Sequence, residues 1–241
     1  MKHLDFTIDF ETTGLTASAA PMQVAIVPWR RDAQDDPFAV ADDLGEVTED
    51  EAARWPDPYV AYVDLRSCVV EGMDFDPETI SWWSRQSDDA KHAVCKGLAE
   101  PVADITVGAL NYLRGIIKQY QLDSICLWCQ GMDVDIAILR SLCSRFDIDL
   151  EDIVPHTSFR DCRTLILEAA LLEAERSMAG TSTRANGIAL PHQVQADPTQ
   201  AYKIFDPLPD RYAAGREAHD ATYDALRSTW YTWQALKTLR Q

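Results

Sequence analysis

The chain has 241 residues, 46% hydrophobic and 25% charged, the make-up of a folded globular protein and not of a disordered one. Its 22 Lys and Arg against 39 Asp and Glu give a formal net charge of −17. A field of that sign excludes tight, salt-driven, non-specific nucleic-acid binding, though it leaves nucleic acid open as a substrate held locally.

Residues 4–10 alternate, with Leu4, Phe6, Ile8 and Phe10 on one face and Asp5, Thr7 and Asp9 on the other, the period of a strand. Thr12-Thr13-Gly14 ends it. Acids inside this apolar N-terminal stretch argue against a signal peptide, and no apolar run approaches the ~18 residues of a membrane span. Met22 to Trp29 predicts a second strand and Tyr59 to Leu65 a third, joined by an acidic, Pro-containing irregular connection over 31–58. Three strands in sequence predict an antiparallel meander.

Helices follow. Asp76-Pro77-Glu78 is a helix start, Ser87 to Lys96 a short helix, and Pro101 to about Tyr120 a long amphipathic one. Ser124 to Cys129 predicts a buried strand, and DVDIAILRSLCSRF a helix from Asp133. A short strand near 158–160 and a helix over Thr164 to Met178 come next. Weak periodicity over 179–216 predicts a long, partly ordered loop. Glu217 to Leu239 is the last helix; its Trp230, Tyr231 and Trp233 either pack internally or make a homodimer face. The order βββ-α-β-α-(β)-α predicts one α/β domain over 1–241 with a mixed central sheet flanked by helices.

Six cysteines scattered over so long a chain fit a reducing cytoplasm better than a disulfide framework. Cys126 and Cys129 form a CxxC, but no second CxxC or histidine pair completes a zinc site. They read as small apolar residues of a buried strand.

The carboxylates carry the functional signal. Asp9 and Glu11, two apart on a strand, share a face, and two like charges so close are costly unless a cation compensates them. Hard oxygen donors suit Mg2+ or Mn2+. Asp133 and Asp135 follow Gly131 at a predicted helix start, where acids also serve as caps; Asp133 reads as the N-cap and Asp135 as free to face the sheet. In AHDATYDALRSTW, His219 projects from the turn before a helix and Asp224 points inward, with small Ala221, Ala225 and Ser228 beside it.

TIDFETTGL, then G-x-x-x-D, then H-x-A-x-x-D, in that order, resembles the DEDDh branch of the DnaQ-like 3′–5′ exonuclease superfamily over essentially the whole chain. ISWWSRQS and FRDCRTL resemble the group of phage exonuclease A, exodeoxyribonuclease VIII and small bacterial 3′–5′ exoribonucleases. Val134 departs from the frequent aromatic, and spacing to the following Ile-x-x-Leu carries the third carboxylate onto Asp135. The resemblance implies a ribonuclease H-like fold and two divalent cations, Mg2+ or Mn2+, held by Asp9, Glu11, Asp135 and Asp224. It implies His219 as general base and nucleoside 5′-monophosphates as products. The substrate is the 3′ end of single-stranded nucleic acid, DNA first, with RNA ends or short oligoribonucleotides as the alternative and a non-catalytic interaction module as the remote one.

Thr12, Gly14, Trp83, Gln86 and Arg163 are the candidate substrate contacts. Gly14 would let backbone approach the terminal nucleotide. One of Trp82 and Trp83 packs inward while the other, or Gln86, meets the base. Arg85, Arg160 and Arg163 are candidates for phosphate.

Overall fold

The alternating N-terminal stretch becomes β1, His3–Thr12, in a computed structural model that describes residues 2–38, 56–181 and 189–240. β2 is Pro21–Trp29 and β3 is Tyr59–Val63. β1 pairs β2 antiparallel and β2 pairs β3 antiparallel, which is the predicted meander. Most of the 31–58 connection, residues 39–55, lies outside the described residues.

Leu65 does not continue β3. Asp64 accepts from the Arg66 N–H and opens a short helix α1, Leu65–Val70, which the sequence reading lacks. Asp76 caps α2, Pro77–Ser84, and Ser87 caps α3, Asp88–Ala93. A two-residue strand β4, Ala99–Glu100, also goes unpredicted, being too short to show a period. Next come α4, Val102–Gln119, β5, Ser124–Cys129, and α5, Ala137–Arg145, the last entered through a π turn at Met132–Ile136. β6, Phe159–Asp161, and α6, Cys162–Met178, follow, with Asp161 as cap.

Residues 182–188 of the predicted 179–216 loop lie outside the described residues, and the part from 191 on needs correction. Pro191 and Pro198 start α7, Pro191–Ala196, and a 3-10 turn, Pro198–Lys203; α8 is Asp210–Ala213. Val194, Ala201, Ile204, Phe205 and Leu208 bury themselves here. Each piece is too short to display helical periodicity, yet α7 buries Val194, the 3-10 turn buries Ala201, and Tyr212 and Ala213 of α8 are partly buried against the same core. The last helix, α9, spans Ala221–Leu239, because Asp220 caps it four residues later than expected.

The six-stranded sheet runs β4-β3-β2-β1-β5-β6, with β1 parallel to β5, β5 to β6 and β3 to β4. This is a mixed sheet with β1 in its interior. One core lies on the face of Leu4, Phe6 and Ile8, under residues of α4 and α5. The other lies on the opposite face, where Trp29 and Trp128 meet residues of α6 and α9. β1 is therefore covered on both sides, and its polar residues must find partners there. Thr7 does so with Thr229 (2.7 Å). Asp5 is fully buried against Arg31, Trp128 and His3. Hydrogen bonding to Asp5 raises the His3 imidazole to about 9, so it is charged at neutral pH.

Trp230 and Trp233 resolve inward. Their indole N–H groups donate to the Asp206 and Ala33 carbonyls at 3.0 Å, so they make no exposed aromatic face. Cys126 and Cys129 are both buried, as the strand reading requires. Among the described residues, no helix is long and apolar enough to cross a membrane.

Candidate active site

Three elements deliver the acids. Asp9 and Glu11 leave β1 near its C-terminal end. Asp135 lies in the π turn after β5, and because β5 is parallel to β1 that turn opens at the same sheet edge. Asp224 sits in the first turn of α9. Ala221, Ala225 and Ser228 are buried, so small side chains let α9 lie close over the sheet. The four carboxylates and His219 line one open cleft of about 380 Å³.

The connections between them are specific. Asp135 Oδ1 accepts the Phe10 N–H at 3.1 Å, which ties the third acid to the backbone between the first two. Asp224 Oδ2 accepts the His219 N–H at 2.9 Å. His219 has φ of +66°, a left-handed conformation unusual for a residue with a Cβ. Its ring stands edge-on to Trp82, with centroids 4.8 Å apart, and lies 6.0 Å from Trp83. One donor atom each from Glu11, His219 and Asp224 falls within 4.8 Å of the others.

Electrostatics follow from burial. Desolvation, then repulsion from Asp135, Glu11 and Asp224, holds Asp9 well above the usual carboxylate range. Desolvation with repulsion from Asp224 and Asp135 pushes Glu11 up to about 8. Asp135 rises to about 7, chiefly through burial, against the Phe10 N–H bond and the nearby Arg163. Asp224 is raised by burial and relieved by Arg227, which pairs with it at 3.3 Å. In the metal-free protein this is an excess of negative charge converging from three chain segments.

The secondary candidates divide. Asp133 is exposed and makes no capping bond; Gly131 occupies the cap position, so the N-cap reading is corrected. Trp83 is the inward tryptophan of the pair. Its indole N–H donates to the Thr12 carbonyl at 2.9 Å and fixes the turn after Glu11. Trp82 is 37% exposed and, with Thr12 and Arg85, lines a second cavity of about 530 Å³ that shares Phe10 and Glu11 with the first. Gln86 bonds back to the Trp82 carbonyl and lines neither cavity.

Gly14 is buried, and a Cβ there would stand 3.3 Å from Ala19 and Asp76. Its smallness lets the turn pack against Ala19 and Asp76. Arg163 lines the acid cleft, whereas Arg160 turns to the Thr157 and Phe159 carbonyls. Gly131, with φ of +144°, gives Arg163 its room, since a Cβ there would overlap the guanidinium.

Sequence reasoning missed Arg227 and the support of the histidine turn. Buried Asp220 caps α9 through the Thr222 N–H, accepts from Gln23 at 3.2 Å and pairs with Lys96 at 2.7 Å. Gln23 also accepts the Ala221 N–H. Arg227 was legible as one helical turn from Asp224; the Gln23 and Lys96 contacts, about 200 and 120 residues away in sequence, were not.

An acid-lined cleft at the C-terminal ends of the central strands of a mixed sheet defines an α/β domain built around a carboxylate site. The chain belongs to the 3′–5′ exoribonuclease Rv2179c-like domain family, whose sequence model matches residues 4–206. It is 28% identical over 141 residues to an exodeoxyribonuclease of Enterobacteria phage T4, a match covering 57% of this chain and 55% of that protein. Two solved exonuclease I structures align over all of this chain. One is a zinc-bound E. coli complex with single-stranded DNA (TM-score 0.47, 16% identity, 41% of that chain). The other is a product-bound form (TM-score 0.47, 14% identity, 46% of that chain). The chain thus spans about half the length of these relatives.

Proposed function

We propose that the cleft is the active site of a metal-dependent 3′–5′ exonuclease that shortens single-stranded nucleic acid to nucleoside 5′-monophosphates. The convergence of Asp9, Glu11, Asp135 and Asp224 carries this reading. Carboxylates with raised proton affinities, more numerous than the cations beside them, are an all-oxygen donor set, which fits Mg2+ or Mn2+. Two such ions would supply the missing charge and the Lewis acidity for phosphodiester hydrolysis.

The chain's own groups do the rest. His219, held at the rim by its N–H bond to Asp224 and by the Trp82 edge, takes the proton of the attacking water. As the water oxygen bonds to phosphorus, the bond from phosphorus to the 3′ oxygen breaks, and that oxygen takes up a proton from solvent to become the 3′ hydroxyl of the shortened strand. The cavity beside Trp82 and Thr12 receives the terminal nucleoside, and Arg163 faces the phosphate. The near neutrality of four acids with two divalent ions is how so acidic a chain accepts a polyanion. The name of the T4 relative supports DNA as the polymer; the family's description supports RNA ends, the second reading.

End-labelled single strands of DNA and of RNA, each free or blocked at the 3′ end, test this with Mg2+, Mn2+ or EDTA. Stepwise loss of 5′-mononucleotides from free 3′ ends is expected, with none in EDTA. Equal cleavage of 3′-blocked strands would refute the exonuclease reading, and the ratio of DNA to RNA rates assigns the polymer.

A further inference from the structure

We propose that His3, Asp5 and Cys126 form a second cation site, for a thiophilic divalent ion such as Zn2+, at the opposite end of β1 from the acid cluster. The sheet register builds it. β1 and β5 run parallel with His3 opposite Ser124 and Asp5 opposite Cys126, so all four side chains project from one face. One donor atom each from His3, Asp5 and Cys126 lies within 4.8 Å of the others. Tetrahedral zinc, with bonds of ~2.0–2.3 Å, spaces its donors roughly 3.3–3.8 Å apart, so a small inward movement closes the site.

The donors are prepared for it. His3 Nε2 is buried and faces Asp5 Oδ2 at 3.3 Å. The other ring nitrogen, Nδ1, is 2.8 Å from Ser124 Oγ. An imidazole that gives Nδ1–H to an outer partner turns its Nε2 lone pair toward the metal, the usual arrangement for a ligating histidine. Asp5 is held by Arg31 through both oxygens and by the Trp128 N–H at 2.6 Å, so its carboxylate is fixed and its charge already balanced. The His3 side chain is 25% exposed, so the cluster lies close to the protein surface.

The charge balance closes as well. A protonated His3 with a neutral Cys126 thiol carries +1. A dication with neutral imidazole and thiolate carries +1 too, two protons having left and no electrons having moved. Uptake therefore adds no net charge to a buried cluster, and the Arg31–Asp5 pair is left intact. Nitrogen and sulfur donors select Zn2+ over the hard ions suited to the cleft. Asp5 and Asp9 are four residues apart, ~13 Å along the strand, so the two sites fill separately.

Cobalt spectroscopy distinguishes the sites, because a sulfur-to-cobalt charge-transfer band requires a thiolate ligand. EDTA-stripped protein is titrated with Co2+. A near-ultraviolet band is expected in the wild type, in Asp135→Asn and in the exposed-thiol control Cys95→Ser, and added Zn2+ should abolish it. Cys126→Ser should lack the band, and His3→Gln should bind Co2+ at least tenfold more weakly. No charge-transfer band in the wild type, or one that persists in folded Cys126→Ser, overturns the proposal and leaves an ion-pair network alone. If Cys126→Ser does not fold, unchanged Co2+ affinity in His3→Gln overturns it equally.

Discussion

His219→Ala is expected to lower the single-turnover rate by ~10²–10⁴-fold, the usual contribution of a positioned general base, while metal affinity measured by calorimetry stays near that of the wild type. The contrast matters because His219 stands within donor distance of Glu11 and Asp224 and so has two possible uses, ligand or base. A ligand would take metal affinity down together with the rate. The turn itself is protected in the variant, since the bond to Asp224 comes from the main-chain N–H. Alanine does pay for the left-handed φ, so His219→Asn, which tolerates that region better, is the companion variant. Both should lose the rate equally. Full activity in either would place the base elsewhere.

Asp135→Asn should fall to near background activity, and Asp133→Asn should stay within a few-fold of wild type. The two acids are neighbours in the π turn, yet only Asp135 is buried in the cleft and tied to the Phe10 N–H. Asparagine preserves the acceptor oxygen for that N–H but removes the charge that holds a cation. Asp133 is exposed, and its effect is confined to a small repulsion on Asp135. Steady-state rates of the two variants at saturating Mn2+ check this; a dead Asp133→Asn with an active Asp135→Asn would exchange their roles.

Much of the frame was legible because it rests on local period and punctuation. The alternation of residues 4–10 and the apolar run at 124–129 each predicted a strand found at nearly the same bounds. Asp76-Pro77 and Ser87 predicted helix starts that are indeed capped. What was hidden depends on contacts between distant segments. Which tryptophan turns inward is decided by the Thr12 carbonyl, and the room at Gly14 is taken by Ala19 and Asp76. The ordering of 191–213 comes from single apolar residues reaching the second core, a pattern no window of sequence displays. His3 beside Cys126 is visible only once the register of β1 on β5 is known.

The claim that the acids form one shared cation site is tested most directly by thermal melts of wild type and Asp135→Asn in EDTA and in Mn2+. Native Glu11 and Asp135 hold protons to about pH 8 and 7, whereas their unfolded counterparts release them near 4.5 and 3.8. Between those limits the native state binds more protons, so metal-free stability falls as pH rises through this window. Removing one charge relieves that loss. Asp135→Asn should therefore melt higher than wild type in EDTA, with a gap that widens from about pH 4 and levels off above about pH 7, at ~2–4 °C if the gain is about 1 kcal/mol. Manganese should raise the wild type more than the variant, because ions that bind only the native state stabilise it. A variant that melts lower than wild type in EDTA, together with a wild type indifferent to Mn2+, would contradict a shared metal site.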